Sequence, residues 1–218
     1  MQVDSTVAHL AAKATPRSEQ TRGAILDAAE IAFAEYGYEG TRLQDIAEAV
    51  GIRRASIVYY FRDKRELYDA VLGLLLGAWL EKLAEVFEGQ GTAMERIEAS
   101  VFAWVDFVIA RPTFARIVLR EAAGAGGAEP GAVATHIRPF FELVGRFVEN
   151  ESDQIVQSLP VSPEHLASAI AGSTLFFVAA MPALLPDGGF DPLNPQEAEA
   201  HRNEIMKITR RLLGTDDA

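Results

Sequence analysis

A cluster of basic residues between positions 53 and 65 is the segment best suited to contact a charged partner. Five basic residues stand there against one acidic residue, although the whole chain of 218 residues has a formal net charge of −11. Arg53 and Arg54 come first, and an arginine side chain can donate two hydrogen bonds to the O6 and N7 acceptors of guanine. On a helix, Ser56 and Tyr59 face away from Ile57 together with these arginines. The pattern predicts base contacts by Arg53 or Arg54.

Other polar side chains flank these residues. Tyr60 and Lys64 follow, and a phenol and an ammonium group suit phosphate oxygens. Thr41, Arg42 and Gln44 stand at the start of a preceding element, and we include them as candidate DNA contacts. The structural alternative is a patch of solvated arginines, which is common on the surface of acidic proteins.

The distribution of charge along the chain supports a nucleic-acid partner more than the net charge does. A sequence pI near 4.8 argues by itself against binding of nucleic acid. Residues 1–65 nevertheless carry equal numbers of basic and acidic side chains, so the whole acidic excess lies beyond them. The sequence therefore describes an acidic body with a small basic patch.

Catalytic and metal chemistry find little support. The chain has no cysteine, so a thiolate metal site is excluded. Its four histidines stand far apart in the sequence and do not have the spacing of metal ligands. No nucleophile elbow and no phosphate-binding glycine loop is present in the sequence. We therefore expect no enzyme, no metal and no cofactor.

Apolar residues at helical spacing predict a first helix between Ser18 and Gly37. Ile25 and Phe33 fall on one face, with alanines between them. Residues 1–17 lack this periodicity, and we expect them to form a mobile tail.

Two short helices follow, separated by a glycine. Thr41 and Gln44 have the spacing of a capping box, which predicts a helix start at Thr41. Gly51 stands where a left-handed residue ends a helix, and a second short helix is predicted over residues 53–60. Two short helices behind a longer one form a helix-turn-helix, whose second helix can enter the major groove of DNA.

A long helix is predicted to begin at Asp63 and to run toward Phe87, where Trp79 and Leu83 should pack on the rest of the chain. Further helices are predicted over residues 92–110, 112–123, 132–150, 163–185 and 196–213. No strand alternation is evident, so the expected fold class is all-α. We divide the chain into a DNA-binding domain at 18–78 and an effector-binding and dimerisation domain at 79–218.

From about residue 18 to 70 the chain resembles the tetracycline-repressor (TetR) family of transcription regulators. The resemblance is carried by Ile25-Leu26-Asp27-Ala28-Ala29, Phe33 through Gly37-Tyr38, Thr41, Asp45-Ile46-Ala47, Gly51-Ile52, Tyr59-Tyr60-Phe61 and Lys64 to Leu67. Arg53, Ala55 and Val58 depart from the family's usual residues at the base-reading helix. The resemblance implies a homodimer that binds double-stranded operator DNA and is released by a small molecule in a C-terminal cavity. It also implies that the last two helices pack between the subunits. The start of the chain, which lacks a secretory pattern, predicts a cytoplasmic protein.

The segment 101–110 is apolar on every helical face except at Asp106, which predicts an enclosed helix. A buried carboxylate needs a partner, either Arg111, Arg116 or Arg120, or a polar group of an effector. Aromatic residues on nearby helices favour an apolar or aromatic effector. The candidate ligand contacts are Trp104, Asp106, Phe107, Phe114, Phe141 and Phe177.

Two features predict a dimer interface at the end of the chain. The small residues at 167–173 let helices approach closely, and the last helix carries an apolar stripe formed by Ile205, Ile208, Leu212 and Leu213.

The sequence leaves two other interpretations open. The uncharged stretch 166–185 has the length of a membrane span, but its alanines, glycine and hydroxyl residues favour a helix buried in protein. The start of the chain lacks the pattern of a secretory signal. The second alternative is a helical protein that binds a small molecule or a partner and keeps the helix-turn-helix only as a structural relic.

Overall fold

The computed structural model describes residues 16–124, 131–151, 160–185 and 189–215. Every regular element in these ranges is a helix, which confirms the predicted all-α fold. In chain order the helices are α1 (Pro16–Gly40), α2 (Leu43–Val50), α3 (Arg54–Tyr60), α4 (Lys64–Phe87), α5 (Ala93–Ala110), α6 (Pro112–Gly124), α7 (Ala132–Asn150), α8 (Pro163–Ala179), α9 (Met181–Leu184) and α10 (Pro195–Leu213).

Helix α1 begins two residues earlier than Ser18, with Pro16 in its first turn, where the missing proline N–H costs no hydrogen bond. Residues 1–15 of the predicted tail lie outside the described residues. Ile25 and Phe33 are buried, as predicted. The helical backbone is interrupted at Gly37, whose φ of 72° is readily adopted only by glycine.

The predicted capping box at Thr41 is wrong. The Thr41 hydroxyl donates to the carbonyl oxygens of Gly37 (2.7 Å) and Ala32 (3.1 Å), near the interruption of α1. Helix α2 starts later, with Arg42 as its N-cap and no side-chain cap. Its predicted end is confirmed, because Gly51 adopts the left-handed conformation at φ 74° and starts the turn into α3.

Helix α4 is 24 residues long, so it extends about 36 Å. Asp63 caps its start by accepting a hydrogen bond from the Glu66 amide at 2.8 Å, which confirms the predicted start. The helix runs without a break through the boundary that we predicted between residues 78 and 79. Its first half packs against α1, and its second half reaches Trp79 and Leu83, both buried.

The other long helices surround the second half of α4. Helices α5 and α7 pack against α4, whereas α8 packs against α5 and α6, and α10 packs against α5 and α8. Helix α6 also packs against α1. Buried side chains from the two predicted domains belong to one continuous hydrophobic cluster.

The uncharged stretch 166–185 does not form a single helix. It is divided at Ala180 between α8 and the four-residue α9, close to Pro182, which has no amide hydrogen to donate. In the part of the chain that the structure describes, no helix is both long enough and apolar enough to cross a membrane.

Candidate DNA-binding surface and ligand cavity

Helix α3 is anchored on one side and open on the other. Ile57 is fully buried, and Phe61 is buried directly after the last turn. The opposite side presents Arg53 and Arg54 to solvent, and Tyr59 is 82% exposed. The side chains that the sequence predicted for base contacts therefore lie on an accessible face.

Ser56 and Tyr60 are half-buried at the margin of this face. The ring of Tyr60 meets the ring of Tyr59 edge to face, with 5.2 Å between centroids. Val58 is exposed although it is apolar, and we had not predicted it as a contact. An exposed aliphatic side chain on such a helix can pack on the methyl group of thymine.

Three arginines line one cleft between α2 and α3. They are Arg42, Arg54 and Arg62, and the cleft also includes Gln44. Arg62 was not among our predicted DNA contacts. Its Nε donates to the Glu66 carboxylate at 2.8 Å, yet its side chain stays 85% exposed. Guanidinium groups can donate both to phosphate oxygens and to the O6 and N7 acceptors of guanine, so this cleft suits DNA.

The Lys64 ammonium contacts main-chain carbonyl groups of the segment that ends α1. Its Nζ donates to the carbonyl oxygens of Tyr38 (2.7 Å), Thr41 (3.2 Å) and Glu39 (3.3 Å). The ammonium also lies 4.5 Å from the centroid of the Tyr38 ring. Thr41 is itself buried, and its hydroxyl donates to main-chain carbonyl groups, although Thr41 and Lys64 both also line the cleft of the three arginines.

Polar contacts join α1 and α4 to the rest of the chain at α6. The Tyr68 hydroxyl of α4 donates to Glu121 at 2.9 Å, and the other oxygen of that carboxylate accepts from the Ala132 amide of α7 at 2.7 Å. Arg120 Nε donates to the Ala34 carbonyl of α1 at 3.1 Å. Burial and the Glu121 carboxylate raise the pKa of Tyr68, so its hydroxyl keeps the proton that it donates.

A cavity of about 400 Å³ lies among α4, α5, α6, α7 and α8. Its volume falls in the range of small-molecule pockets. Its walls are mainly aliphatic and aromatic, and its polar lining residues are Ser100, Glu164 and Ser168. Trp79, Leu83 and Phe87 form the wall that α4 contributes.

Three of the six predicted ligand contacts line this cavity, namely Trp104, Phe114 and Phe141. Phe107 lies behind the wall, where its ring packs on that of Phe114 with 5.1 Å between centroids. Phe177 lies on the other side of α8 and stacks on His201 of α10 at 3.8 Å. Neither Phe107 nor Phe177 is among the lining residues.

The prediction that Asp106 is enclosed is wrong. Its side chain is exposed and accepts a hydrogen bond from Arg202 Nε of α10 at 3.0 Å, and Arg202 also contacts Glu199. Arg111, one of the partners we predicted, instead pairs with Glu30 of α1 at 3.4 Å. Asp106 therefore points toward α10 and lies outside the cavity lining.

His201 gives the contact between α8 and α10 a dependence on pH. Burial lowers the pKa of His201 to about 4 from an ordinary value of 6.5. The folded state thus favours the neutral ring, and its contribution to stability is complete above pH 6.5 and is lost as the pH falls toward 4. We expect His201→Gln to make thermal stability less sensitive to pH in this window than in the wild type. Parallel slopes of melting temperature against pH for the two proteins would contradict this.

The comparisons with known proteins agree with this geometry. Residues 25–71 match the family described as bacterial regulatory proteins, tetR family. The HTH-type transcriptional regulator RutR of Escherichia coli K12 is 31% identical over 154 residues, which cover 69% of this chain and 70% of RutR. The biofilm operon icaADBC negative transcriptional regulator IcaR of Staphylococcus aureus is 47% identical over 45 residues, which cover 21% of this chain and 24% of IcaR.

Solved structures share the fold at lower identity. The fatty acid degradation regulator FadR from Bacillus halodurans superposes with a TM-score of 0.65 at 16% identity and covers 87% of this chain and 94% of its own. AibR, solved with isovaleryl coenzyme A and operator DNA, gives a TM-score of 0.65 at 21% identity, with 86% and 97% coverage. The chain belongs to the tetR family of bacterial regulatory proteins, a dimeric family, and is a DNA-binding transcriptional regulator.

Proposed function

We propose that the protein is a cytoplasmic repressor that binds its operator through α3 and leaves it when a small, mainly apolar molecule occupies the cavity. The observation that carries this proposal is the continuity of α4. The helix starts at Asp63, beside the cleft that Arg54 and Arg62 line, and its other end forms a wall of the cavity with Trp79 and Phe87. A molecule that displaces this wall displaces an element that holds the DNA-binding helices.

A ligand can change the affinity for DNA only if it binds the two arrangements of the protein with different affinity. A dimer presents two α3 helices, and two successive major grooves lie about 34–36 Å apart. The repressor form must match this spacing. We propose that an occupied cavity tilts α4 and thereby changes the distance between the two α3 helices.

The proposal is tested with operator DNA that the protein selects from a random pool. We expect the wild-type protein to enrich a two-fold symmetric sequence and to bind it more tightly than an unselected duplex by about 10³-fold or more. Equal affinity for both duplexes would favour the alternative of a small-molecule-binding protein with a non-functional helix-turn-helix.

Arg54→Ala is expected to lower affinity for the selected operator by about 1–3 kcal/mol and to relax the preference at one position. Arg54 lines the cleft between α2 and α3, whereas Arg53 lies at the N-cap of α3 outside it, so we assign base reading to Arg54. Fluorescence anisotropy with the operator and with single-base variants measures both effects.

Arg62→Ala is the matched control for a phosphate contact, because it should weaken all sequences alike and lower the salt slope by about one unit. If Arg54→Ala loses the same affinity for the operator as for random DNA, base reading by Arg54 is refuted. The same measurement on Arg53→Ala would then show whether Arg53 reads the base.

The surface that we propose for the dimer combines α8, α9 and α10. Four large apolar side chains are exposed there: Phe176, Leu184, Leu185 and Ile208. The structure corrects the stripe predicted on α10, because Ile205 and Leu213 are buried within the chain. The small residues Gly172 and Ser173 on α8 are exposed, and they allow close approach of a second copy.

Phe176→Glu is expected to shift the protein from dimer to monomer at micromolar concentration, because it places two like charges near each other at a two-fold interface. Phe176 is 47% exposed within one chain, so the substitution leaves the core intact. Sedimentation velocity measures the change. Ile31→Glu, at an apolar position on α1 that is 59% exposed, should leave the dimer unchanged. A dimer that survives Phe176→Glu with unaltered affinity would place the interface elsewhere.

A further inference from the structure

The two tryptophans of the chain face each other in the cavity wall. Trp79 comes from α4 and Trp104 from α5, and their ring centroids lie 4.9 Å apart at an interplanar angle of 67°. They are only 4% and 6% exposed. Both line the cavity. The ligand cavity thus has indole rings from two separate helices on one side.

Both indole N–H groups are buried without a hydrogen-bond partner among the described residues. A tryptophan N–H can only donate, and buried tryptophans usually satisfy it. In an edge-to-face pair the edge of one ring can point at the face of the other, so a weak N–H···π contact can serve at most one of the two donors. Trp104 also meets the ring of Phe114 edge to face at 5.9 Å, so each indole N–H has at most a weak π contact, and an oxygen acceptor on an occupant of the cavity would be a stronger partner.

Other groups of the wall do not meet this need. Ser100, one of the polar lining residues, donates its hydroxyl hydrogen to the Ile97 carbonyl at 2.7 Å, and its oxygen accepts from neither indole N–H. A buried water needs two to four polar partners, and this wall offers it two donors in mainly apolar surroundings. Among the described lining residues, Glu164 is the one with an ionisable side chain, so no lysine, arginine or histidine is available there to neutralise an anion.

We propose that the effector is an uncharged, mainly apolar molecule with a carbonyl or ether oxygen that accepts a hydrogen bond from the indole N–H of Trp79 or Trp104. The proposal rests on the proposed function, because it specifies the ligand of the same cavity. The uncharged acceptor distinguishes this class from two others. Saturated hydrocarbons leave the indole donors unsatisfied, and carboxylates would place a negative charge between the two rings. The acceptor sets the orientation, and the apolar wall supplies most of the contact area.

Benzophenone and diphenylmethane form a matched pair of probes for this test, because they share two phenyl rings and differ in a carbonyl in place of a methylene group. Calorimetry on the full chain should show benzophenone binding about tenfold more tightly. In a ¹H–¹⁵N spectrum the chain gives two indole resonances, since it has two tryptophans. We expect at least one indole proton to shift downfield with benzophenone and not with diphenylmethane.

Trp79→Phe and Trp104→Phe each remove an N–H and keep an aromatic ring. In at least one of them the tenfold preference for the ketone should fall to near unity while diphenylmethane still binds, which also shows that the variant is folded. Equal affinity of the wild type for both probes would overturn the acceptor proposal and leave the cavity as the effector site. Failure of both probes to bind would overturn the acceptor proposal and the proposed effector site together.

Discussion

Lys64→Met is expected to lower the free energy of unfolding by about 1–3 kcal/mol, although the sequence predicts Lys64 as a phosphate contact. Its ammonium satisfies the carbonyl oxygens of Tyr38 and Thr41, both partly buried, and methionine keeps the aliphatic stem but donates nothing. The loss of the charge over the Tyr38 ring adds to the effect. Urea denaturation of the wild type and the variant measures it.

Arg62→Ala is the control, because Arg62 is a neighbouring basic side chain that is 85% exposed and forms a single surface ion pair with Glu66. Its stability should change by less than about 1 kcal/mol. For DNA binding we expect the reverse order of effects. Arg62→Ala should lower the salt slope of DNA binding, and Lys64→Met should leave that slope unchanged. A Lys64→Met protein with wild-type stability and a reduced salt slope would restore Lys64 as a phosphate contact.

Local sequence signals predicted the parts of the fold that depend on neighbouring residues. Gly51 ends α2 and Asp63 caps α4 because each acts on backbone groups within four residues. The apolar spacing around Ile25 and Phe33 predicted the buried face of α1 for the same reason. The exposed face of α3 followed from the position of Ile57 within its helix.

Contacts between distant segments were not predictable in the same way. Lys64 meets carbonyl groups 23 and 26 residues away, and main-chain acceptors leave no signature in residue type. Asp106 finds Arg202 across 96 residues, on a helix whose rotation against α5 the sequence does not specify. The same limit applies to the cavity, where Phe141 lines the wall and Phe107, equally aromatic, lies behind it.

Ala171→Phe is expected to weaken operator binding by about 5- to 100-fold, which is the usual range of coupling between an effector site and a second site. Ala171 lies on α8 and lines the cavity, so a phenyl ring there occupies space that an effector would fill. The ring should press on the walls that α4 and α5 contribute and favour the arrangement with low affinity for DNA. Ala99→Phe is the matched control, because it makes the same change at an exposed position of α5 that does not line the cavity.

The affinity of Ala171→Phe for the selected operator, measured by fluorescence anisotropy beside the wild type and Ala99→Phe, tests the coupling between cavity and DNA most directly. The measurement needs no knowledge of the natural effector. Loss of benzophenone binding shows that the cavity is filled, and sedimentation velocity shows that the dimer persists. We expect weaker DNA binding in Ala171→Phe alone. Wild-type affinity for the operator in a dimeric Ala171→Phe protein with a filled cavity would contradict the account.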